Sequence, residues 1–346
     1  MRQPLSFRRS IATAAGSATL LALLASATQA FPSPRIPETL LTRASSSGSA
    51  GHVFWGPRSE RGHAGKGWLS PAAVKGGIIY GSSYNGGFIN LYPLHGNNQQ
   101  PVGQLTSGLV SPQGMVVDRK HRLWVANTNA NNIVAFKRGA TTPFRTLNDP
   151  GFYPVTVAVA SDGTVYAANA QGTSGQHGNV VVYQGHNNNP SAVLAYTAFN
   201  VVLGLGVDAS NNLYVSYIPT SGPPAIVVFP SGSGTPQPLP LADITISDII
   251  FDTQSDLVME DGSGGLGIWA PPYTGGPTRT LPGVFGNEPT FNKRETRVYV
   301  ALADFSKPAM YGYDYTTGKL VDTITAGWTA NGPIPYGVAL DPPAPL

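Results

Sequence analysis

Two adjacent acidic residues, Glu260 and Asp261, form the sharpest acidic pair in this sequence. Paired carboxyl groups are one arrangement that acid–base catalysis uses. However, Asp261 occupies the place that Asn127 and Asn169 hold in other copies of a repeat described below. Asp and Asn side chains in such places commonly accept hydrogen bonds from nearby backbone N–H groups in a turn. The pattern therefore predicts a structural role for Asp261.

Other chemistries are disfavoured by residue type or by context. The chain has no cysteine, which removes disulfides, thiolate catalysis and Cys-based zinc sites. None of its six histidines lies at a close metal-ligand spacing, and we expect all of them in linkers or turns. Residues 262–267 match G-x-G-x-x-G, but they join two predicted strands and open no helix, so they predict a hairpin loop and not a dinucleotide site. A Gly-x-Ser-x-Gly phrase in a strand-to-helix setting is also missing.

The charge of the chain argues against a nucleic-acid partner. Residues 76–346 hold 12 basic and 16 acidic residues, so the basic excess comes from the N-terminal part of the chain. Only 11% of all residues are charged, well below the usual quarter. Gly, Pro, Asn, Ser and Thr are abundant instead, as in many secreted β proteins with numerous turns.

The first 30 residues read as a secretory signal peptide. Arg2, Arg8 and Arg9 precede a short apolar run rich in Ala, and residues 27–30 offer a small-residue cleavage site. The run is too short and too rich in Ala for a membrane span. The Arg8-Arg9 pair raises a twin-arginine route, although its flanking residues fit ordinary secretion better. We therefore expect a secreted or periplasmic protein with no membrane span.

Residues 31–75 are predicted to be a flexible N-terminal segment, and residues 76–346 a propeller. In the latter, two short β-like runs joined by a polar turn recur about every 41 to 48 residues. The residue five before each second strand is Asp118, Ala160, Asp208, Asp252, Lys293 or Asp341. An all-strand repeat of this length is typical of propeller blades, and the aspartates among these anchors are expected to hold the turn.

The two ends of the repeat complement each other. Strands predicted at residues 78–80, 88–92 and 102–105 form a first blade without an inner strand, while residues 335–341 supply a lone inner-strand phrase. We expect residues 336–340 to complete the first blade and cover its open edge. The predicted fold class is thus all-β, a six-bladed β-propeller closed by its C-terminal strand. In the alternative, residues 72–77 form a local hairpin with Ile78 and the C-terminal strand lies elsewhere.

Aromatic residues recur at one position of the second strands. They are Trp124, Tyr166, Tyr214 and Tyr299. Their shared position predicts core packing between blades. A sugar-binding platform would instead need exposed rings on one face, for which Tyr153, Tyr217 and Tyr336 are the candidates.

Three phrases carry a resemblance to known proteins: Pro112-Gln-Gly-Met-Val-Val-Asp118, Asn-Asn-Leu-Tyr-Val215 and Pro335-Tyr-Gly-Val-Ala-Leu-Asp341. Over residues 76–341 the chain resembles NHL-repeat and related six-bladed propellers of secreted bacterial proteins. Neighbouring propeller families include metal-dependent lactonases of the gluconolactonase type and streptogramin lyases. The resemblance implies a fold and leaves the activity open.

The lactonase likeness can be compared residue by residue. Those enzymes hold a metal with the Glu of a Glu-Gly-Pro phrase on an inner strand; here Glu288 precedes Pro289 directly, so the Gly is missing. Their other ligands are Asn and Asp of further inner strands, where this chain has Tyr153, Val202 and Ser247-Asp248. The likeness therefore implies Glu288 and Asp248 as ligands of Ca²⁺ or another divalent ion. A Ca²⁺ site needs six or more oxygens, so carboxylates on solvated loops are the other interpretation.

The missing catalytic constellation favours a protein without enzymatic activity. We expect a monomeric binding or scaffold propeller without a cofactor, whose loop face recognises a small molecule, a glycan or a protein. The expected binding residues at the mouth of the central channel are Gln113, Asp248, Glu288 and Tyr336. The alternative is a metal-dependent, lactonase-like hydrolase or lyase with its site at the same channel mouth.

Overall fold

The structure is a computed structural model that describes residues 65–345. The predicted signal peptide and residues 31–64 lie outside the described residues. The first blade contains strands β1 (Trp68–Leu69), β2 (Ile78–Ser83), β3 (Phe88–Pro93) and β4 (Gly103–Leu105). The second contains β5 (Pro112–Val117), β6 (Arg122–Asn127), β7 (Asn132–Lys137) and β8 (Arg145–Asn148). The third contains β9 (Phe152–Val159), β10 (Val165–Gly172), β11 (His177–Tyr183) and β12 (Ala192–Leu194).

Three further blades and a last strand complete the ring. The fourth blade contains β13 (Phe199–Val207), β14 (Leu213–Pro219), β15 (Ala225–Phe229) and β16 (Gln237–Leu239). The fifth contains β17 (Ile250–Phe251), β18 (Leu257–Glu260), β19 (Gly265–Trp269) and β20 (Arg279–Pro282). The sixth contains β21 (Asn287–Phe291), β22 (Arg297–Leu302), β23 (Ala309–Asp314) and β24 (Leu320–Ile324), and β25 (Val338–Asp341) ends the series. Short 3₁₀ turns lie at Pro71–Val74, Thr128–Ala130 and Pro230–Gly232.

The six sheets form a ring, and the predicted six-bladed β-propeller is confirmed. Blades 2 to 6 are each four antiparallel strands in chain order. The first strands of successive blades lie alongside one another around the centre. Both faces of each sheet pack against neighbouring blades, so most strand residues are buried without the usual alternation. β7 is an example, with four successive buried residues between Asn132 and Lys137.

The C-terminal strand closes the ring as predicted. β25 pairs antiparallel with β2, from Ile78 opposite Asp341 to Gly81 opposite Val338. The pairing extends beyond the strand, because the Tyr336 N–H donates to the Ser82 carbonyl over 2.8 Å. Blade 1 is therefore built from the two ends of the propeller and exposes no inner edge.

The alternative placement of the C-terminal strand is wrong. Pro71–Val74 is a 3₁₀ turn and forms no hairpin with Ile78, whose partners are Asp341 and Pro93. The structure adds one strand before residue 76, since β1 pairs with β4 on the outer edge of blade 1. Leu69 of this strand packs against the core cluster between blades 1 and 2.

The aromatic residues of the second strands fill the spaces between blades, which confirms their predicted packing role. Trp124, for instance, is 1% exposed and packs with Val157, Val165 and Tyr183 of blade 3. Tyr166, Tyr214 and Tyr299 are buried as well. The alternative sugar platform is wrong, because Tyr153, Tyr217 and Tyr336 are also buried and present no exposed rings.

Four turn aspartates, in blades 2, 4 and 5, behave as predicted. Asp118 Oδ1 accepts the N–H groups of Lys120 and Arg122, and Asp208 and Asp252 make the same pair of bonds in their own turns. Asp261 Oδ1 accepts the N–H groups of Ser263 and Gly265, so its structural role is confirmed. The G-x-G-x-x-G phrase joins β18 to β19, as expected for a hairpin loop.

Asp341 departs from the pattern, and its predicted turn role is wrong. No second strand follows it, since β25 is the last strand of the described chain. Its carboxylate is instead completely buried and accepts hydrogen bonds from His121 and Arg138 of blade 2. Arg138 also donates to the Gly76 carbonyl. These contacts tie both strands of the closing pair to the neighbouring blade.

Candidate channel-cavity site

A repeated position of the inner strands defines one level of the central channel. Counting four residues back from the first turn residue of each blade gives Gly114, Thr156, Gly204, Asp248, Glu288 and Gly337. In blade 6 the turn residue is Asn292 and not the predicted Lys293. The Asn292 N–H donates to the Arg297 carbonyl, as the Asp252 N–H donates to the Asp256 carbonyl in blade 5. With Asn292 as the turn residue of blade 6, both predicted metal ligands, Asp248 and Glu288, lie at the same level.

Asp248 connects three inner strands. Its Oδ1 accepts the Leu205 N–H over 3.0 Å, and its Oδ2 accepts the Thr156 hydroxyl over 2.8 Å. The Ile249 N–H returns a bond to the Leu205 carbonyl. Blades 3, 4 and 5 are thereby linked across the channel by one carboxyl group. Asp248 keeps partial exposure and belongs to the wall of a cavity.

Glu288 reaches across the channel from the sixth blade. A register shift interrupts the pairing of β21 with β22 between Asn287 and Thr290, and Glu288 has a φ of 55°. A bulge of this kind re-aims a side chain, and a positive φ in a residue other than glycine is uncommon. Glu288 Oε2 consequently accepts the Met115 N–H of blade 2 over 3.1 Å. The residue is 7% exposed.

Glycines on blades 1 and 2 make room for this carboxylate. A Cβ added to Gly114 would lie 2.5 Å from Glu288 Oε1, and one added to Gly337 would lie 2.5 Å from Oε2. Both distances are far below a normal contact, so a larger residue at either position would displace Glu288. The glycines of blades 1 and 2 are thus matched to the acid of blade 6.

Burial sets the protonation behaviour of both acids. It raises the pKa of Asp248 to about 7, against the opposing effect of the Leu205 and Thr156 hydrogen bonds. Burial, together with the nearby Asp248 charge, raises the pKa of Glu288 well above its usual range. Glu288 lies in β21 and is 7% exposed, so its interpretation as a carboxylate on a solvated loop is wrong, whereas Asp248 lies outside the strands and keeps partial exposure. Strongly perturbed acids in a cavity are typical of functional sites.

Within the described residues 65–345, neither acid has a cationic partner. The ion pairs within residues 65–345 join His121 and Arg138 to Asp341, and Arg122 to Asp118. A buried carboxylate without a compensating charge is costly. The channel therefore holds two acids whose compensation by the protein consists of hydrogen bonds alone.

The acids lie in the wall of a cavity of about 190 Å³. Much of its wall is apolar and comes from the inner strands, with Val116, Val157, Leu205, Ile249 and Val338 among the lining residues. The first-to-second strand loops of blades 2 and 3 line it too, through residues such as Lys120 and Asp162. These loops begin four residues of strand after the level of the acids, which corresponds to a separation of about 13 Å.

The other two predicted site residues do not belong to the cavity wall. Gln113 is completely buried in β5, where its carbonyl accepts the Ser82 hydroxyl over 2.7 Å. Tyr336 is 5% exposed and packs with Tyr84, Ala303 and Ile334. Neither is among the residues that line the cavity with Asp248 and Glu288. A binding role for Gln113 and Tyr336 stays a prediction.

Sequence reasoning missed Thr156, Gly114 and Gly337 as parts of this site. The signal that could have found them is the count of four residues back from each turn. It was obscured in blade 6, where Asn292 and Lys293 are adjacent polar residues and only the hydrogen bonds of the turn distinguish them. In the described residues, no three His, Cys, Asp or Glu side chains converge as a metal site would require.

Comparisons with known proteins agree on the fold. No protein-family model matches the chain, and no curated protein matches it. Among solved structures, a chain in the crystal structure of a nidogen/laminin complex is similar, with a TM-score of 0.60 and 18% identity. The match covers 77% of this chain and 98% of that one. In residues 65–345 no helix has the length and apolar character needed to cross a bilayer. The similarity to the chain of the nidogen/laminin complex shows the β-propeller fold. The NHL-repeat resemblance stays a prediction.

Proposed function

We propose that this protein is a binding propeller that takes up a small molecule in its channel cavity. The observation that supports this most directly is that two acids, the buried Glu288 and the partly exposed Asp248, lie in the wall of a largely apolar cavity. Apolar walls with a few oriented polar groups are the usual composition of ligand sites. At about 190 Å³ the cavity is smaller than the range of about 300 to 1,000 Å³ typical of drug-sized ligands. The proposed ligand is correspondingly small.

The ligand would enter from the loop side. The cavity lining includes the loops that follow β5 and β9, among them Lys120 and Ser161, and also the C-terminal residues Pro343 and Pro345. The predicted signal peptide supports export of the protein. An exported protein with this cavity would bind small molecules outside the cytoplasm.

A crystallographic fragment screen tests the proposal. Crystals would be soaked with a set of small neutral, anionic and cationic molecules. We expect at least one fragment in the cavity, within contact distance of Asp248 or Glu288. Fragments that occupy other surfaces while none enters the cavity would contradict the proposal.

A metal-dependent hydrolase or lyase is the second candidate, because Asp248 and Glu288 lie at one level of the channel. It requires a divalent ion held by these carboxylates and by further oxygens. Metal analysis after dialysis and melting curves with and without Ca²⁺ test it. Calcium far above its dissociation constant should stabilise the fold by a few kcal/mol, about 2.7 kcal/mol at a hundredfold excess. An unchanged melting temperature and no bound metal would exclude this candidate.

A further inference from the structure

The channel cavity has an acidic inner level at which residues 65–345 place no positive charge. The basic side chains in the cavity lining, Arg119, Lys120 and Arg122, belong to the loop end and its flank. Arg119 is the basic residue nearest to the acids along β5. It follows the turn residue Asp118, which itself lies about 13 Å along the strand from the level of the acids. Arg122 is moreover paired with Asp118 over 2.6 Å. The described residues therefore leave room for a ligand to supply the positive charge at the inner level.

Glu288 presents a hydrogen-bond acceptor to that ligand. The residue is more than nine-tenths buried, and Oε2 is occupied by the Met115 N–H. Oε1 has no hydrogen-bond partner within residues 65–345, and Glu288 is part of the cavity wall. Asp248, in the same wall, accepts one bond at each oxygen. A carboxylate oxygen has two lone pairs, so each Asp248 oxygen can accept one more donor.

Resting on the proposed function, we propose that the cavity binds a small organic cation with a primary ammonium group on an apolar body. The ammonium group would lie between Glu288 and Asp248, and the apolar body would lie against Val157, Leu205 and Val338. An ammonium group has three N–H donors, which suits acceptors on two carboxylates. Its charge offsets the cost of burying those carboxylates, and charge-assisted hydrogen bonds are the stronger ones.

Other cations fit the same wall less well. A quaternary ammonium has no N–H to donate and is usually held by a cage of aromatic rings. The aromatic side chains in the cavity lining are Phe251 and Phe291, which lie three residues further along their strands than the acids. A hard divalent ion takes six or more oxygen ligands, whereas two carboxylates and the Thr156 hydroxyl are what the level offers.

Calorimetric titration of the full chain with four matched probes tests this inference. Hexylamine is the positive probe; hexanol and hexanoate keep its chain but change its head group, and tetramethylammonium keeps the charge without N–H donors. At pH 8 an alkyl ammonium is charged, as a lysine side chain is. We expect hexylamine to bind at least about tenfold more tightly than each of the other three, because its charge-assisted bonds have no counterpart in them.

Variants locate the binding. Glu288→Gln and Asp248→Asn keep the size of each side chain and remove its charge, and each should weaken hexylamine binding at least about tenfold. Glu260→Gln is the matched control: Glu260 is 4% exposed and accepts one backbone N–H, from Gly286, but it does not line the cavity. Its hexylamine affinity should equal that of the unmodified protein. Melting curves confirm that each variant is folded, and the four-probe comparison needs no variant.

The outcomes separate this inference from the proposed function. Binding of hexanol or hexanoate with equal or higher affinity than hexylamine would overturn the ammonium proposal and leave a small-molecule site standing. Hexylamine binding that both charge-removing variants retain would also overturn it. Stabilisation by Ca²⁺ without hexylamine binding would favour the divalent-ion alternative. A cavity that stays empty in the fragment screen as well would remove the proposed function itself.

Discussion

At the residue scale, burial decides the state of the acidic side chains more than charged partners do. Asp149, Asp248 and Glu260 each have a pKa raised to about 7 by burial, and hydrogen bonds oppose the shift without cancelling it. Glu260 is the simplest of the three for experiment. It lies outside the cavity wall, its Oε1 accepts the Gly286 N–H over 2.7 Å, and the adjacent Asp261 charge adds to the shift.

We predict that Glu260→Gln makes the stability of the protein less sensitive to pH. The native state binds a proton at Glu260 up to about pH 7, whereas the unfolded chain releases it near the usual pKa of 4.5. Stability from this group is therefore present at low pH and falls as pH rises from about 4.5 to 7. One such group contributes a slope of up to about 1.4 kcal/mol per pH unit, which the variant should lose.

Urea unfolding between pH 4 and 8 measures this slope. Glu295→Gln is a control at an acid on the turn between β21 and β22, where Oε2 accepts from the exposed Thr253. If the unmodified protein and Glu260→Gln lose stability in parallel across this range, Glu260 is not held protonated in the native state.

At the element scale, the inner strands differ in length, and both acids of the candidate site lie in or beside short ones. β9 and β13 run for 8 and 9 residues, whereas β17 has 2 residues and begins after Asp248. β21 is interrupted by the register shift at Glu288. Where the hydrogen bonding of β17 and β21 to their neighbouring strands stops, Asp248 and Glu288 accept backbone N–H groups of other blades. The strand ends of blade 1 are secured differently, by Arg138 and His121 on Asp341.

We predict that Arg138→Gln weakens the closure of the ring. Asp341 is completely buried, and removal of a cationic partner leaves its charge with less compensation. Breaking a buried pair in this way typically costs about 3 to 5 kcal/mol, and the partial exposure of Arg138 places the expectation at about 3 kcal/mol. Chemical denaturation measures the loss of unfolding free energy.

Lys319→Gln serves as the control for this prediction. Lys319 is exposed and makes no ion pair within the described residues, so its loss should change stability by less than about 0.5 kcal/mol. Equal effects of the two substitutions would show that the contacts to Asp341 do not stabilise the closing strand.

At the scale of the whole molecule, the fold is a ring whose first sheet is shared by the two ends of the propeller. β25 supplies the inner strand of blade 1, and its residues Val338 and Leu340 also line the cavity. Closure of the ring and the wall of the cavity therefore depend on the same strand. An open ring would expose the unpaired edge of β2 and one wall of the channel.

We predict that a chain truncated after Pro335 loses cooperative unfolding or aggregates, because blade 1 then lacks its inner strand. The matched control ends after Pro342, which keeps β25 and removes residues that line the cavity mouth. It should retain a cooperative transition. Circular dichroism melting curves and size-exclusion chromatography of both chains provide the measurement. A cooperative, monomeric protein without residues 336–346 would contradict the role of β25 in closure.

Much of the fold was predictable because it depends on local and repeated features. Strand periods, turn aspartates such as Asp118 and the unmatched phrase at residues 335–341 predict six blades and their closure. These features act between neighbours in sequence, or by the simple requirement that a strand edge be covered. Asp341 is the exception among the turn residues. Its partners Arg138 and His121 lie some 200 residues away in sequence, and no local sequence pattern predicts them.

The candidate site depended on tertiary structure. By itself the sequence determined that Asp248 and Glu288 lie at the inner strands of adjacent blades. Only the folded ring decided that both acids share one cavity, because a bulge at Glu288 and glycines at positions 114 and 337 bring its carboxylate across the channel. The pKa of each acid likewise follows from burial by several blades at once. The burial of each acid by several blades depends on the closure of the ring, so no single repeat of the sequence predicts it.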